Sequence, residues 1–261
     1  MAKSFEDLLV GRDGGLVVVT LNRPEVLNAL RKQTLTELAR VLDEFSSESA
    51  DRALIITGAG GSFCSGGDVK AMAKMTSREA EDFAQKAHMV LRMMEGIPKP
   101  IVAAVNGAAL GAGSDLAISC DIVIASEKAS FGDPSARMGI ITPFGGTSRL
   151  PHVVGPLRAK YLFMTAEAIS ADEAFQMGMV NKVVMADRLL NEAKSVVAKV
   201  LNLAPVATGY NKLLVNSAFS LIEREVGKKE VELYAKCFDT EDRTEGMKAF
   251  IEKRKPAFVG R

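Results

Sequence analysis

The sequence predicts an α/β fold in which strand–strand–helix units repeat and together form a curled, mixed sheet. One observation is the run Ile101–Val105, which is apolar throughout, rich in β-branched residues and of the length of a buried strand. Another is the segment 34–45, in which apolar residues recur at the spacing of one helix face. The third is the chain from Thr147 onward, where helical patterns follow one another with little β-forming sequence.

The individual elements are bounded by turn residues or by a change of hydrophobic period. A β-hairpin opens the chain, with its turn at residues 12–15. His88 is expected on the surface of a long helix that Ser77 caps. The strands are predicted at residues 5–10, 16–21, 53–57, 101–105, 122–125 and 129–131. The other helices are predicted at residues 34–45, 116–120, 156–164, 171–177, 187–203, 206–217, 221–238 and 241–253.

The composition is that of a globular protein with a sizeable core and almost no net charge. Hydrophobic residues make up 48% of the chain, charged residues 25%, and the formal net charge is +1. So small a charge argues against nucleic acid as a partner, and no apolar run is long enough to predict a membrane partner. Three cysteines without paired spacing and an opening segment without secretory features predict a cytoplasmic protein. Only two histidines are present, which argues against a histidine-based metal site.

The length of 261 residues allows one or two domains. We expect residues 1–200 to form the core domain, which carries binding and catalysis, and residues 201–261 to form a helical subdomain at a subunit interface. The C-terminal part offers more apolar side chains than a small cap needs. These side chains include Leu213, Leu214, Phe219, Leu233 and Phe238.

Two glycine-rich turns each follow a predicted strand and lead into a predicted helix. They lie at residues 60–70 and 106–115. The first N–H groups of a helix lack intrahelical partners and carry the positive end of its dipole. Two such turns aimed at one oxygen would stabilise negative charge that develops on it. The alternative is two structural turns, in which Ser114 or Asp115 is only a helix N-cap.

With both turns in view, the chain resembles the crotonase (enoyl-CoA hydratase/isomerase) superfamily. The resemblance implies the crotonase fold, with the C-terminal helices as a trimerisation region and a homotrimer or a dimer of trimers as the assembly. It runs from end to end through LNRPEVLNAL at 21–30, FCSGGDVKAM at 63–72, KPIVAAVNGAALGAGSDLAISCD at 99–121, ASFGDPSARMGIITPFGGTSRLPHVVG at 129–155, AISADEAFQMGMVNKVV at 168–184 and DRTEGMKAFIEKRKPAF at 242–258.

The resemblance implies that a coenzyme A thioester lays its carbonyl between the N–H groups of Gly67 and Ala112. Ala112 departs from the usual glycine, but the donor needs only its N–H. The resemblance also assigns a set of residues to coenzyme A binding. They are Ser65, Gly67, Asp68, Val69, Lys70 and Lys253. For Lys70 and Lys253 the alternative is a solvated surface charge.

Family hydratases use two glutamates, and this chain departs from both. Asp115 stands at the first position and Ser135 at the second. A serine hydroxyl can hold a water molecule but is neither acid nor base near neutral pH. We therefore predict Asp115 as the acid/base and Ser135 as the water-holding residue. Asp133, two residues earlier in the same loop, is a substitute for the missing carboxyl or, alternatively, an exposed loop residue.

The predicted function is that of an enoyl-CoA hydratase-type lyase, which acts on an acyl-CoA thioester through an enolate. No metal and no cofactor are expected, because coenzyme A enters as part of the substrate. The missing second glutamate leaves two alternatives open. One is another reaction on the same scaffold, such as double-bond isomerisation, thioester hydrolysis or decarboxylation. The other is a thioester-binding paralogue with little turnover.

Overall fold

Two sheets of unequal size form the centre of the fold. The computed structural model describes residues 5–218 and 220–260. Within these residues the strands are β1 (Leu8–Asp13), β2 (Leu16–Leu21), β3 (Ala53–Gly58), β4 (Ser62–Cys64), β5 (Ile101–Val105), β6 (Ala108–Leu110), β7 (Ile122–Ser126), β8 (Ser130–Gly132), β9 (Ala168–Ser170) and β10 (Lys182–Val184).

Helices surround the sheets and make up most of the C-terminal half. They are α1 (Lys32–Ser47), α2 (Val69–Met72), α3 (Ser77–Gly96), α4 (Ala112–Ile118), α5 (Gly146–Val154), α6 (Pro156–Thr165), α7 (Ala171–Gln176), α8 (Leu189–Leu201), α9 (Pro205–Ser217), α10 (Ser220–Cys237) and α11 (Glu241–Ile251). Short 3₁₀ turns lie at Pro24–Val26, Ser135–Met138 and Ala186–Arg188. None of the helices in this described part is both long enough and apolar enough to cross a membrane.

The predicted strand–strand–helix repeat is present, and its two strands enter different sheets. The larger sheet has the order β1-β2-β3-β5-β7-β10 and the smaller one β4-β6-β8-β9. In each repeat the first strand (β3, β5 or β7) joins the larger sheet and the second (β4, β6 or β8) joins the smaller one. Pairing is parallel except at β1–β2 and β8–β9.

Strands β3, β5 and β7 are buried on both faces, which explains their continuous apolar sequences. One face packs against α8, and the other packs into the main core with α1 and α3. The first face comprises Ala53, Ile55, Val102, Ala104 and Ile124, against Leu189, Ala193 and Val197.

Two helix starts differ from the prediction. Thr76, not Ser77, caps α3, because the Thr76 hydroxyl accepts a hydrogen bond from Glu79 N while the Glu79 carboxylate accepts one from Thr76 N. Helix α4 begins at Ala112, after Gly111 with a φ of 50°. Ser114 and Asp115 therefore lie inside the first turn of α4, and neither is its N-cap.

The C-terminal helices pack against the parts of the chain that carry the glycine turns and the loop after β8. Helix α10 lies on α3 and α5, and α11 lies on α2 and on the 3₁₀ turn at Ser135–Met138. A Cβ on Gly246 would lie 2.6 Å from the carbonyl carbon of Met138, so this approach requires glycine. The division of the chain at residue 200 stays a prediction.

The apolar side chains that motivated a C-terminal interface differ in exposure. Phe238 is buried and Leu213 half-buried, whereas Leu214 and Leu233 are exposed. Phe219 lies outside the described residues. Further exposed apolar side chains lie along α6 and α9, outside the core of the chain. They are Leu157, Tyr161, Met164, Val206, Tyr210 and Val215.

Candidate active site

The two glycine turns meet at the ends of β4 and β6. Gly66 has a φ of 112°, a conformation that glycine adopts readily. A Cβ on Gly66 would lie 3.1 Å from the Leu110 carbonyl oxygen and 3.8 Å from Ala112 N. A Cβ on Gly113 would lie 2.1 Å from the Cys64 carbonyl oxygen. The turns contact each other through their backbones, and side chains at these glycines would hold them apart.

The contact brings the N–H groups of Gly67 and Ala112 to the same site. Leu30 N donates to Gly66 O at 2.8 Å and Asp68 N donates to Leu30 O at 2.9 Å, which holds the first turn in place. No described group accepts a hydrogen bond from the N–H of Gly67 or of Ala112. Ala112 has no positive φ, so alanine fits here without strain. Two free backbone donors on neighbouring turns have the arrangement of an oxyanion hole.

Asp115 points away from solvent and into the core beside α5. Its side chain is 3% exposed, and its Oδ2 accepts a hydrogen bond from the Thr142 hydroxyl. A Cβ on Gly146 would lie 2.1 Å from Asp115 Oδ1, so the carboxyl occupies the space that this glycine leaves free. Burial raises the pKa of the Asp115 carboxyl well above its usual range, and the charge of Asp133 raises it further.

Asp133 is buried, so the alternative of an exposed loop aspartate is wrong. Its residue is 5% exposed, and its Oδ1 accepts a hydrogen bond from Ser135 N at 2.8 Å. Its Oδ2 is buried and has no hydrogen-bond partner among the described residues. Burial raises the pKa of the Asp133 carboxyl, and the hydrogen bond from Ser135 opposes that increase. Asp133 was visible in the sequence as a candidate, but no local pattern predicted that it is buried.

Ser135 begins the 3₁₀ turn after β8 and is also buried. Its Oγ lies 3.8 Å from where a Cβ on Gly111 would be, so the hydroxyl is next to the second glycine turn. Asp115, Asp133 and Ser135 are therefore gathered around one end of β6 and β8. Within the described residues, no group of three histidine, cysteine or carboxylate side chains is arranged to hold a metal ion.

The residues assigned to coenzyme A fall into two groups, of which the first forms structural contacts. The Ser65 hydroxyl donates to the Val26 carbonyl oxygen at 3.4 Å. The Asp68 carboxylate caps α2 by accepting from Ala71 N at 3.2 Å and pairs with Arg23 at 3.0 Å. Because the side chains of Ser65 and Asp68 form hydrogen bonds within the chain, we expect these residues to contact a ligand through their backbone atoms.

The second group lies at or near the surface. Val69 is half-buried at the start of α2, and Lys70 is exposed. Lys253 is exposed just after α11 and has a φ of 55°. A lysine ammonium binds a phosphate as a point charge and needs no fixed geometry. Their contact with coenzyme A stays a prediction.

A buried pair, His88 and Glu230, was missed from the sequence. Both are almost fully buried, and His88 Nε2 lies 2.9 Å from Glu230 Oε1, so the expected surface position of His88 is wrong. The Glu230 carboxylate also accepts hydrogen bonds from Gly145 N at 2.5 Å and Thr147 N at 3.2 Å, at the start of α5. His88 follows Ala84 by four residues and therefore lies on the same, buried face of α3. This spacing can be read from the sequence and could have predicted the burial of His88.

The site combines a parallel pair of short strands, an amide donor on each of two neighbouring turns, and a buried carboxyl beside them. Together with the two-sheet fold, this arrangement is that of an acyl-thioester enzyme of the crotonase fold. The family model described as enoyl-CoA hydratase/isomerase matches residues 11–261. A short-chain-enoyl-CoA hydratase of Clostridium acetobutylicum is 44% identical over 252 residues, which are 96% of this chain and 97% of the relative. A crotonyl-CoA hydratase of Syntrophomonas wolfei is 40% identical over 259 residues, 99% of this chain and 100% of the relative.

Solved structures agree with this match. The crystal structure of an enoyl-CoA hydratase from Mycobacterium avium subsp. paratuberculosis has a TM-score of 0.90 and 28% identity, and covers 98% of this chain and 100% of its own. That of an enoyl-CoA hydratase from Bacillus anthracis has a TM-score of 0.79 and 34% identity over 98% and 100% of the two chains. The chain belongs to the enoyl-CoA hydratase/isomerase family, and the crotonase fold predicted from the sequence is confirmed.

Proposed function

We propose that this enzyme adds water to the double bond of a short-chain 2-enoyl-CoA thioester. The observation that carries the proposal is the pair of free N–H groups at Gly67 and Ala112, beside the buried carboxyl of Asp115. The names of the two relatives, crotonyl-CoA hydratase and short-chain-enoyl-CoA hydratase, support a short acyl chain.

In the proposed reaction the thioester oxygen accepts hydrogen bonds from both N–H groups. When water adds to the β-carbon, negative charge moves onto this oxygen, and each donor lowers the barrier by about 3–4 kcal/mol. Asp115, as acid and base, takes a proton from the water and returns one to the α-carbon, and the Ser135 hydroxyl contacts the water. Coenzyme A enters and leaves as part of the thioester, and the proton transfers need no further cofactor.

Loss of the conjugated thioester absorbance of crotonyl-CoA tests the proposal. We expect turnover by the wild-type protein and at least a hundredfold loss in Asp115→Asn, with nearly unchanged thioester affinity because the N–H donors remain. Asp43→Asn, an exposed position on α1, is the matched control. No hydration of any 2-enoyl-CoA from short to long chains would contradict the proposal.

Double-bond isomerisation is the second candidate, because it needs only one carboxyl to move a proton between two carbons of the substrate. The observation in its favour is Ser135, which brings a hydroxyl where a family hydratase has its second glutamate. Conversion of a 3-enoyl-CoA to the conjugated thioester, faster than hydration of crotonyl-CoA, would favour this reaction over the first.

We also propose that the protein assembles as a homotrimer or a dimer of trimers. The exposed apolar side chains of α6 and α9 support a covered face, because such a surface is costly in water. Light scattering at micromolar concentration is expected to give a trimeric or hexameric mass. A monomeric mass would contradict this assembly.

A further inference from the structure

We infer that Asp133 is the second catalytic carboxyl of this enzyme and takes over the role of the glutamate that Ser135 replaces. The inference rests on the proposed hydration reaction. It would give the site two carboxyls, Asp115 from α4 and Asp133 from the end of β8, instead of one.

The position of Asp133 follows from the register of the smaller sheet. Leu110 at the end of β6 pairs with Gly132 at the end of β8, and Gly111 N donates to Gly132 O at 2.8 Å. Asp133 directly follows Gly132, and Ala112 directly follows Gly111. The second carboxyl therefore starts beside the turn that supplies one of the two oxyanion donors.

The free oxygen of Asp133 is the feature that a structural role leaves unexplained. Oδ1 accepts from Ser135 N and completes a local turn, whereas Oδ2 is buried without a partner among the described residues. A buried polar atom without a hydrogen bond costs about 1–3 kcal/mol, and more when it is charged. Asparagine would form the same turn without a buried charge, so the carboxyl is retained at a cost. An oxygen that accepts a hydrogen bond from the substrate water explains that cost.

The two carboxyls are close enough to act on each other. Gly111 connects them through the backbone, because Gly111 N donates to Gly132 O at 2.8 Å and Asp115 N donates to Gly111 O at 3.0 Å. The charge of Asp133 also contributes to the raised pKa of Asp115. Two neighbouring carboxyls in a dry site hold one proton between them, since both cannot be ionised at once. The N–H of Ser135 stabilises an ionised Asp133, so we place the shared proton on Asp115, where burial and the charge of Asp133 both favour the neutral form of the carboxyl.

This division gives each carboxyl one proton transfer. Asp133 takes a proton from water as the water oxygen bonds to the β-carbon of the substrate, and the double-bond electrons move to the thioester oxygen held by Gly67 and Ala112. The enolate then takes the proton of Asp115 at its α-carbon. One C–O and one C–H bond form, while the π bond of the substrate and one O–H bond of water break. The proton that leaves Asp115 is replaced by the one gained at Asp133, so the carboxyl pair again holds one proton.

Asp133→Asn tests the inference, because asparagine keeps the Oδ1 acceptor for Ser135 N and removes only the base. Two readouts are measured: hydration of crotonyl-CoA, and exchange of the α-hydrogens of butyryl-CoA with deuterated water, which needs Asp115 and the oxyanion hole but no activated water. We expect Asp133→Asn to lower kcat for hydration 10²–10⁴-fold with little change in KM, and to keep exchange within about tenfold. Asp115→Asn is expected to lose both.

Two results would overturn the inference. Asp133→Asn that hydrates crotonyl-CoA within about threefold of wild type would make Asp133 a turn residue only. Loss of exchange together with hydration would mean that the variant damages the whole site. If the wild type itself hydrates no enoyl-CoA, the proposed function fails and the inference fails with it. If the wild type is active and only the Asp133→Asn results disagree, the inference alone fails, so the two failures are distinguishable.

A second variant guards against structural damage. Ser135→Glu in the Asp133→Asn background returns a carboxyl to the family position, and we expect it to regain hydration at least about tenfold. If Ser135→Glu alone is active but the double variant regains nothing, Asp133 does something that a second carboxyl cannot replace. That result would also overturn the inference.

Discussion

At the scale of single residues, the position of the Asp115 carboxyl depends on the missing side chain of Gly146. The first residue of α5 has no positive φ, so alanine is allowed there by the backbone, but its Cβ would lie 2.1 Å from Asp115 Oδ1. Gly146→Ala is therefore expected to displace the carboxyl and lower kcat at least about tenfold, with KM little changed. Gly96→Ala, whose Cβ meets nothing within 4 Å, is the control in the same assay.

Thr142 favours loss of the proton from Asp115, against the larger effects of burial and of the Asp133 charge on its pKa. Its hydroxyl donates to Asp115 Oδ2, which stabilises the ionised form and lowers the pKa of Asp115. Thr142→Val removes this donor, so the pKa rises further and the proton on Asp115 is kept to higher pH. The alkaline limb of the pH–kcat profile is expected to move to higher pH.

The control for this profile is Thr36→Val, at an exposed position of α1. A Thr142→Val profile whose alkaline limb stays in place, or moves to lower pH, would show that Asp115 is not the acid. The motif located Asp115 in the sequence, but Thr142 belongs to a loop with no pattern of its own. Its role depends on a contact across 27 residues of chain.

At the scale of elements, Glu230 connects α10 to the start of α5 through hydrogen bonds. Its buried carboxylate accepts from Gly145 N and Thr147 N, and pairs with His88 of α3. A glutamine at this position has one acceptor oxygen, so at least one of these donors loses its partner, at about 1–3 kcal/mol. Glu230→Gln is expected to lower the thermal midpoint and kcat together, since α5 also carries Gly146 beside Asp115.

Glu232→Gln on the same helix is the matched control. Glu232 is exposed and pairs with Lys229 and Lys236, and exposed ion pairs contribute little. A lowered midpoint in Glu230→Gln with unchanged kcat would limit Glu230 to a structural role. Thermal unfolding and crotonyl-CoA turnover measured on the same preparations decide between these outcomes.

The elements differ in how far the sequence predicts them. Strand Ile101–Val105 was predicted at its observed bounds, because its apolar run is unbroken. Helices α6 to α11 were predicted within a few residues from their hydrophobic period, whereas α5 was not predicted. Strands β4, β6, β9 and β10 were not predicted, because each has only three residues, too few to show a hydrophobic period. Helix α4 was placed too late, since its first turn consists of small residues that resemble a loop.

At the scale of the whole molecule, the carboxyl pair makes stability depend on pH. Burial raises the pKa of Asp115 and of Asp133 above the usual value of 3.8, so between that value and the raised pKa the folded protein binds more protons than the unfolded chain. Stability is then highest at the acidic end of this window and falls as the pH increases through it. The raised pKa of Asp133 causes part of this decrease in stability.

Asp133→Asn is expected to unfold at a higher temperature than wild type at pH 8, and by a smaller margin at pH 5. The amide has no charge to bury, so the variant loses the contribution of Asp133 to the decline with pH. Thermal midpoints of wild type, Asp133→Asn and the exposed control Asp43→Asn over this pH range measure the effect. A wild-type midpoint that increases steadily from pH 5 to pH 8, with Asp133→Asn parallel to it, would contradict the buried pair.

The sequence by itself determined the fold class, the order of most elements, the two glycine turns and the position of Asp115. These features depend on residues close together in the chain, namely hydrophobic period, glycine content and motif spacing. Only the tertiary structure decided that Asp133 is buried, that His88 faces Glu230 across 142 residues, and that the strands of each repeat separate into two sheets. Burial and charge coupling arise when distant segments exclude water from the same space, and no local pattern records which segments those are.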